Sequence, residues 1–296
     1  MKHYPVQTVT LPNGETVAYR QAGTQGEMLV LVHGNMSSSV HFQTTMERLE
    51  NEFRVYAVDL RGFGDSSYLH EMNSLHDFAL DVEGWIAALD LKDFTLLGWS
   101  TGGGIVLEIA ADMPERVKKL VLLDSVGIKG FPLYKKDEKY QPILSELYTN
   151  KEDIAADPVQ VLPILNAYAK RDKGMLKAIW NAVIYNQVQP NEEDYDEYLD
   201  AMLKQRNLVD VDYSLLMFNF THDFNGVCEG SGRIDLIKCP VVILHGAKDY
   251  VVPYPMALEM KTYFGDRAKL IPFENAGHSV VTDDLDLFVN TLKENV

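Results

Sequence analysis

The chain of 296 residues has only two cysteines, Cys228 and Cys239. Two cysteines are too few for a disulfide framework, and their spacing matches no metal-binding motif. No apolar run approaches the ~20 residues that a membrane-spanning helix requires, and no signal-peptide pattern follows Met1. These absences predict a cytoplasmic protein that holds no metal and does not insert into a membrane.

Basic residues are also few compared with acidic ones. Lys and Arg number 27 against 43 Asp and Glu, so the formal net charge is −16 at pH 7. The electric field of such a negatively charged protein repels phosphate backbones and anionic lipid surfaces. We therefore predict neither a nucleic-acid partner nor a membrane partner. The hydrophobic content of 46% is sufficient for one large core, or for a core with an insertion.

One stretch indicates a nucleophile. An apolar run, residues 94–97, leads into residues 98–102, Gly-Trp-Ser-Thr-Gly, and a helical pattern follows. This order predicts a strand, a sharp turn that exposes the Ser100 hydroxyl, and a helix. Gly98 and Gly102 lack the Cβ atoms that would crowd such a turn. An isolated Gly-x-Ser-x-Gly string is compatible with an ordinary turn, and the flanking strand and helix favour a nucleophile.

Strand and helix patterns alternate in both the first and the last parts of the chain. Residues 12–14, Pro-Asn-Gly, predict an opening hairpin. Strands are predicted at 28–32, 53–58, 94–97, 117–123, 240–246 and 269–271, and a last helix is predicted to include residues 281–292. The alternation predicts an α/β fold, in which helices flank a mostly parallel central sheet and ligands bind beyond the carboxyl ends of the strands.

The alternation stops between residues 129 and 228. No buried-strand run is evident there, and apolar residues such as Ile143, Leu147 and Trp180 suggest several amphipathic helices. We predict that residues 129–228 form a helical cap inserted into an α/β core made of residues 1–128 and 229–296.

Three residues that follow predicted strands form a candidate catalytic triad. A serine hydroxyl is a weak nucleophile at neutral pH, so it needs a base and an acid that orients the base. Ser100, Asp249 and His278 would lie at one edge of the sheet, in the chain order that this architecture imposes. Ser100 would attack, His278 would transfer the proton and Asp249 would orient His278. Asp124 is an alternative acid, and we favour Asp249 because Asp124 can instead accept hydrogen bonds from nearby backbone.

A negatively charged tetrahedral intermediate needs two hydrogen-bond donors. We predict that one is the backbone N–H of Thr101, the residue after the nucleophile. The second would come from the loop after the third strand, where Asn35 and Met36 follow His33-Gly34. We assign it to the Asn35 backbone, and the Asn35 side chain is also able to donate.

Together these motifs resemble the α/β-hydrolase superfamily over almost the whole chain. The matching stretches are His33-Gly34-Asn35, residues 59–66, Gly98-Trp99-Ser100-Thr101-Gly102-Gly103, residues 245–249 and Gly277-His278. The resemblance implies a Ser-His-Asp triad and a helical cap after the sixth strand. The 98–103 stretch is similar to that of haloperoxidase-like esterases that lack a cofactor, and residues 33–35 resemble the oxyanion loop of haloalkane dehalogenases. Dehalogenases and epoxide hydrolases of this superfamily use an aspartate where this chain has Ser100, which disfavours both activities.

We therefore predict a serine hydrolase that cleaves small to medium carboxylic esters or lactones through an acyl-enzyme on Ser100. The insertion would shape a largely apolar pocket for this small-molecule substrate. A carbon–carbon bond hydrolase or an acyltransferase would use the same triad, and a ligand-binding protein on a hydrolase scaffold is the non-enzymatic alternative. No cofactor is predicted, because residues 102–104, Gly-Gly-Gly, lack the flanking residues of a phosphate-binding loop. A monomer and a homodimer both remain open.

Overall fold

An eight-stranded sheet forms the centre of the protein in a computed structural model that describes residues 1–296. The ten strands of the chain are β1 (Gln7–Thr10), β2 (Thr16–Ala22), β3 (Glu27–Val32), β4 (Phe53–Val58), β5 (Phe94–Trp99), β6 (Val117–Leu123), β7 (Tyr134–Lys136), β8 (Pro142–Leu147), β9 (Val241–Gly246) and β10 (Ala268–Phe273). The order across the large sheet is β1-β2-β4-β3-β5-β6-β9-β10. Strand β2 is antiparallel to both β1 and β4, and every other pair in this sheet is parallel. The predicted α/β fold with a mostly parallel sheet is confirmed.

Eleven α-helices accompany the strands. They are α1 (Gln43–Leu49), α2 (Leu75–Ala88), α3 (Thr101–Asp112), α4 (Lys151–Ala155), α5 (Leu162–Lys170), α6 (Lys173–Val183), α7 (Glu192–Met202), α8 (Leu208–Met217), α9 (Tyr254–Phe264), α10 (Val280–Asp283) and α11 (Leu285–Asn295). None of these helices is both long enough and apolar enough to cross a lipid bilayer.

The sheet is buried on both faces, which explains the continuous apolar runs of its strands. Val30 and Val32 of β3 belong to one hydrophobic cluster, whereas Leu29 and Leu31 belong to a second one. Successive side chains of a strand point to opposite faces, so a strand covered on both sides needs apolar residues at every position. Residues of α2, α3 and α9 pack in the first cluster, and residues of α1 and α11 pack in the second.

Residues 129–228 contain α4 to α8 and also a β-hairpin that the sequence analysis missed. Strands β7 and β8 pair antiparallel and form a separate two-stranded sheet. Ile143 and Leu147 lie in β8, so our interpretation of these two residues as helical is wrong. The hairpin is largely exposed, and Leu144 retains 74% of its accessible surface, so it lacks the buried run by which strands are recognised. The limits of the cap, residues 129 and 228, remain a prediction.

The parallel strands bring four loops to one edge of the sheet. Val32 at the end of β3 pairs with Gly98 of β5, and Gly246 at the end of β9 pairs with Phe273 of β10. The loops that follow these strand ends contain Asn35, Ser100, Asp249 and His278. Side chains that are far apart in the sequence therefore emerge from the same edge.

Candidate active site

Ser100 occupies a strained turn between β5 and α3. Its backbone has φ 56° and ψ −121°, a conformation that residues other than glycine rarely adopt. A Cβ atom on Gly98 would lie 2.3 Å from the Gly102 carbonyl oxygen, and one on Gly102 would lie 2.4 Å from the Val32 carbonyl oxygen. Only glycine fits at these two positions, because real Cβ contacts are not this short. The Gly-x-Ser-x-Gly pattern is thus required by the packing of the turn.

Ser100, His278 and Asp249 form one chain of hydrogen bonds. Ser100 Oγ lies 2.9 Å from His278 Nε2, and His278 Nδ1 lies 2.7 Å from Asp249 Oδ2. The other carboxylate oxygen, Asp249 Oδ1, accepts hydrogen bonds from the backbone N–H groups of Val251 and Val252. A proton on Nδ1 that is donated to Asp249 leaves Nε2 free to accept the serine proton. The three predicted residues are therefore together, and their catalytic roles remain a prediction.

The pKa values of the two ionisable members are each shifted in favour of the charged form. Burial disfavours the charged form of His278, but the neighbouring Asp249 carboxylate outweighs burial and raises the pKa of His278 above its ordinary 6.5. Burial acts to raise the pKa of Asp249, but His278 and the surrounding hydrogen bonds hold this pKa below its ordinary value. Each group stabilises the charged form of the other.

Asp124, the alternative acid, is fully buried after β6 and makes no hydrogen bond to His278. Its Oδ1 accepts a hydrogen bond of 2.8 Å from the backbone N–H of Gly246, and its Oδ2 accepts one of 3.4 Å from Val280. Burial, with the charge of Asp249 nearby, raises the pKa of Asp124 to about 8. Asp124 is therefore harder to ionise than an ordinary aspartate, and it joins the loops that carry Asp249 and His278.

Asp124, His245 and Asp249 could in principle hold a cation, because one ligand atom from each lies within 4.8 Å of the others. The available atoms do not suit this role. Asp249 already binds His278 and two backbone N–H groups, and His245 Nε2 lies 2.8 Å from the Val252 carbonyl oxygen. His245 Nδ1 alone has no hydrogen-bond partner. We assign no metal here, and the expected absence of a metal or cofactor remains a prediction.

The loop after β3 lies directly against the serine. A Cβ atom on Gly34 would be only 2.8 Å from the Ser100 Cβ. The backbone N–H groups of Asn35 and Thr101 have no hydrogen-bond partner in the protein. The Met36 N–H, by contrast, donates to Asn35 Oδ1 at 2.9 Å and to Gln205 Oε1 at 3.1 Å. Of the two backbone groups considered for the second donor, only that of Asn35 is free.

A cavity of about 430 Å³ opens at Ser100 and His278. Of the 23 residues that line it, 16 are hydrophobic, so it suits an apolar group. Ile164, Trp180 and Leu208 of the lining belong to α5, α6 and α8 of the predicted cap. The cavity thus lies between the edge of the sheet and the 129–228 segment.

Three residues that contribute to the site were not predicted. Trp99 donates from Nε1 to the His278 carbonyl oxygen at 2.9 Å and so holds the histidine loop. Gln205 and Asp212, both in the 129–228 segment, hydrogen-bond to the Asn35 side chain. Trp99 could have been suspected from its place next to the nucleophile. Nothing in the sequence near Gln205 or Asp212 marks a link to a loop about 170 positions away.

Comparison with models of protein families identifies the family to which this fold belongs. The model of the alpha/beta hydrolase fold matches residues 27–285. The chain therefore belongs to the alpha/beta hydrolase family, and the resemblance noted in the sequence is confirmed.

The individual relatives that we compared share about a quarter of their residues with this chain. A pimeloyl-[acyl-carrier protein] methyl ester esterase of Aliivibrio fischeri is 27% identical over 280 residues, covering 94% of this chain and 96% of the relative. A 2-hydroxymuconate semialdehyde hydrolase of a Pseudomonas species is 25% identical over 275 residues, covering 86% of this chain and 81% of the relative. Among solved structures, an esterase from Exiguobacterium antarcticum is similar with a TM-score of 0.73 and 22% identity, covering 97% of each chain. At 22% identity, the structural similarity shows only that the two proteins share a fold.

Proposed function

We propose that this protein is a serine hydrolase that cleaves small to medium carboxylic esters, including lactones, through an acyl-enzyme on Ser100. The observation that supports this most is the hydrogen-bond chain Ser100–His278–Asp249 at an apolar cavity. A nucleophile, a base and an orienting acid in this arrangement suit acyl transfer. The names of the esterase relatives agree with this reaction class.

In the first half of the reaction, Ser100 Oγ attacks the carbonyl carbon while His278 Nε2 takes its proton. The carbonyl oxygen becomes an oxyanion, which accepts hydrogen bonds from the free N–H groups of Asn35 and Thr101. The tetrahedral intermediate then collapses. The bond from carbon to the leaving oxygen breaks, and that oxygen takes the proton from His278 as the alcohol departs.

In the second half, a water molecule donates its proton to His278 Nε2 and attacks the acyl carbon. The same two N–H groups stabilise the second oxyanion, and its collapse releases the carboxylic acid and returns the proton to Ser100 Oγ. Asp249 keeps the Nδ1 proton in place throughout, because its Oδ2 lies 2.7 Å from that nitrogen. Its charge stabilises the imidazolium that forms in each step.

The size and character of the cavity support a limited range of substrates. A volume of about 430 Å³ lies in the lower half of the range typical of small-molecule pockets. The lining is mostly apolar, so we propose that one side of the ester is a short to medium hydrocarbon group. Transfer from water into such a site is favourable by about 0.8 kcal/mol per buried methylene, so KM should fall as the chain lengthens until the cavity is full.

Cleavage of a carbon–carbon bond is the second candidate. The relative named 2-hydroxymuconate semialdehyde hydrolase is similar over most of both chains. Such a reaction would also use Ser100 and His278, and it would release a carbon acid in place of an alcohol.

An active-site probe combined with a substrate panel tests the proposal. A fluorophosphonate should label the folded protein at Ser100, identified by mass spectrometry of the modified peptide. p-Nitrophenyl esters from acetyl to decanoyl, simple lactones and a vinylogous diketone then separate the reaction classes. Turnover of the esters supports the proposal, and turnover of the diketone alone supports carbon–carbon cleavage. A folded protein that is neither labelled nor active on any of these compounds would favour the ligand-binding alternative.

The rate of ester hydrolysis should depend on the protonation of His278. His278 acts as a base only when neutral, and Asp249 raises its pKa above the ordinary 6.5. We therefore expect kcat/KM to rise with pH to a plateau, with a midpoint above 6.5. Initial rates with a p-nitrophenyl ester across the neutral range, corrected for spontaneous hydrolysis, measure this midpoint. A midpoint at or below that of free histidine would contradict the assignment of His278 as the base.

A further inference from the structure

The side chain of Gln205 contacts two adjacent residues of the loop that follows β3. Gln205 lies between α7 and α8 and is only 5% exposed. Its Nε2 donates to Asn35 Oδ1 at 2.8 Å, and its Oε1 accepts from the Met36 backbone N–H at 3.1 Å. One amide of the 129–228 segment therefore holds the loop at two points.

These contacts fix a backbone conformation that is unfavourable on its own. Met36 has φ 55°, in the left-handed region that residues other than glycine seldom occupy. Its N–H is shared between Asn35 Oδ1 and Gln205 Oε1. The Met36 N–H is thus engaged, whereas the Asn35 N–H has no hydrogen-bond partner.

The partners of Gln205 and Asn35 define the orientation of both amides. Gln205 Nε2 also donates to Asn207 Oδ1 at 3.2 Å, and Gln205 Oε1 also accepts from the Tyr168 hydroxyl at 2.8 Å. The Asn35 Nδ2 donates to Asp212 Oδ1 at 3.2 Å. Flipping either amide would set donors against donors and acceptors against acceptors, so each has one favourable orientation.

We propose that Gln205 is a positioning residue that holds the backbone of Asn35 and Met36 so that the Asn35 N–H faces the oxyanion on the Ser100 adduct. This inference rests on the proposed function. An oxyanion exists only in the tetrahedral intermediate and its transition states, so a displaced donor affects kcat more than KM. The 129–228 segment would then contribute to the chemical step as well as to the walls of the cavity.

The replacement Gln205→Met tests this role, because methionine has a similar length and neither donates nor accepts strongly. We expect kcat for a p-nitrophenyl ester to fall by about 10- to 100-fold, somewhat less than for the complete loss of an oxyanion donor. KM should change by no more than about threefold. The inhibition constant of an aryl boronic acid, whose Ser100 adduct has a tetrahedral centre, should rise in proportion to the loss of kcat.

Asn219→Leu is the matched control. Asn219 is also 5% exposed, belongs to the same segment and donates to two backbone carbonyls, but it makes no hydrogen bond to residues 34–36. We expect this variant to lower Tm while leaving kcat and boronate inhibition close to those of the wild type. If Gln205→Met does not fold, Tyr168→Phe removes one hydrogen bond to Gln205 Oε1 and should give a smaller loss of kcat at unchanged KM.

Three outcomes decide the inference. Unchanged kcat and boronate inhibition in a folded Gln205→Met variant would overturn it, as would unchanged kcat in Tyr168→Phe if only that variant folds. A wild-type protein that hydrolyses no ester refutes the proposed function instead. In that case hydrogen exchange of the Met36 amide still tests the contact, because Gln205→Met should accelerate this exchange, and unchanged exchange would refute the positioning role.

Discussion

Replacing Ser100 by alanine should lower kcat for p-nitrophenyl esters by roughly a million-fold. The variant retains the Cβ and the free N–H groups of the site, so only the attacking oxygen is lost. Substrate binding should persist, because the apolar cavity is unchanged. The residual rate would reflect substrate positioning and the two N–H donors alone. Discontinuous assays at high enzyme concentration measure the low kcat of the variant. Thermal unfolding followed by circular dichroism should give a Tm close to that of the wild type.

Ser214→Ala provides the control for a lost buried hydroxyl. Ser214 lies in α8, is fully buried and has no hydrogen-bond partner for its Oγ, so its removal breaks no hydrogen bond. This variant should keep the wild-type kcat and its labelling by a fluorophosphonate. If Ser100→Ala kept the wild-type kcat, the acyl-enzyme mechanism would be disproved. No other hydroxyl group that lines the cavity is hydrogen-bonded to a base and could replace Ser100 as the nucleophile.

The parts of the fold that could be predicted are those whose local sequence is forced by packing. Strands β4 and β6 match their predicted limits, residues 53–58 and 117–123, because most residues of each are apolar and buried. The turn at Ser100 was recognisable because Gly98 and Gly102 cannot be replaced there without a clash. In these places the local pattern and the tertiary contacts agree.

Other features depend on contacts that leave no local pattern. The exposed β8 has no alternating buried face, so its sequence does not distinguish it from a loop or a helix. The predicted last helix is two helices, α10 and α11, and the break is at Asp284, whose side chain accepts from the Leu287 N–H as a cap. The contact between Gln205 and Asn35 joins positions 170 apart. Only the assembled fold brings these two amides together.

The choice between Asp249 and Asp124 can be settled by replacing one carboxyl group at a time. Asp249 Oδ1 accepts two backbone N–H groups, and Oδ2 faces His278. An asparagine at this position keeps its oxygen on the backbone donors, so its amide nitrogen would face the imidazole. His278 Nδ1 would then have to accept a hydrogen bond, which leaves the proton on Nε2 and prevents that atom from taking the serine proton.

Asp249→Asn should therefore lower kcat by about 10,000-fold with little change in KM. The midpoint of the pH profile should also move down, because the charge that raises the pKa of His278 is gone. Steady-state kinetics with one p-nitrophenyl ester at several pH values measure both effects. Wild-type kcat in this variant would exclude Asp249 as the orienting acid.

Asp124→Asn is the matched variant, and its effect should be much smaller. Burial raises the pKa of Asp124 to about 8 and so disfavours a negative charge at this position. An asparagine oxygen can keep the 2.8 Å hydrogen bond from the Gly246 N–H, and only the longer one from Val280 is lost. We expect a loss of kcat of no more than about tenfold, in line with one weakened hydrogen bond near the site. A larger loss in Asp124→Asn than in Asp249→Asn would reverse the assignment, since only the acid that supports the imidazolium can have the larger effect.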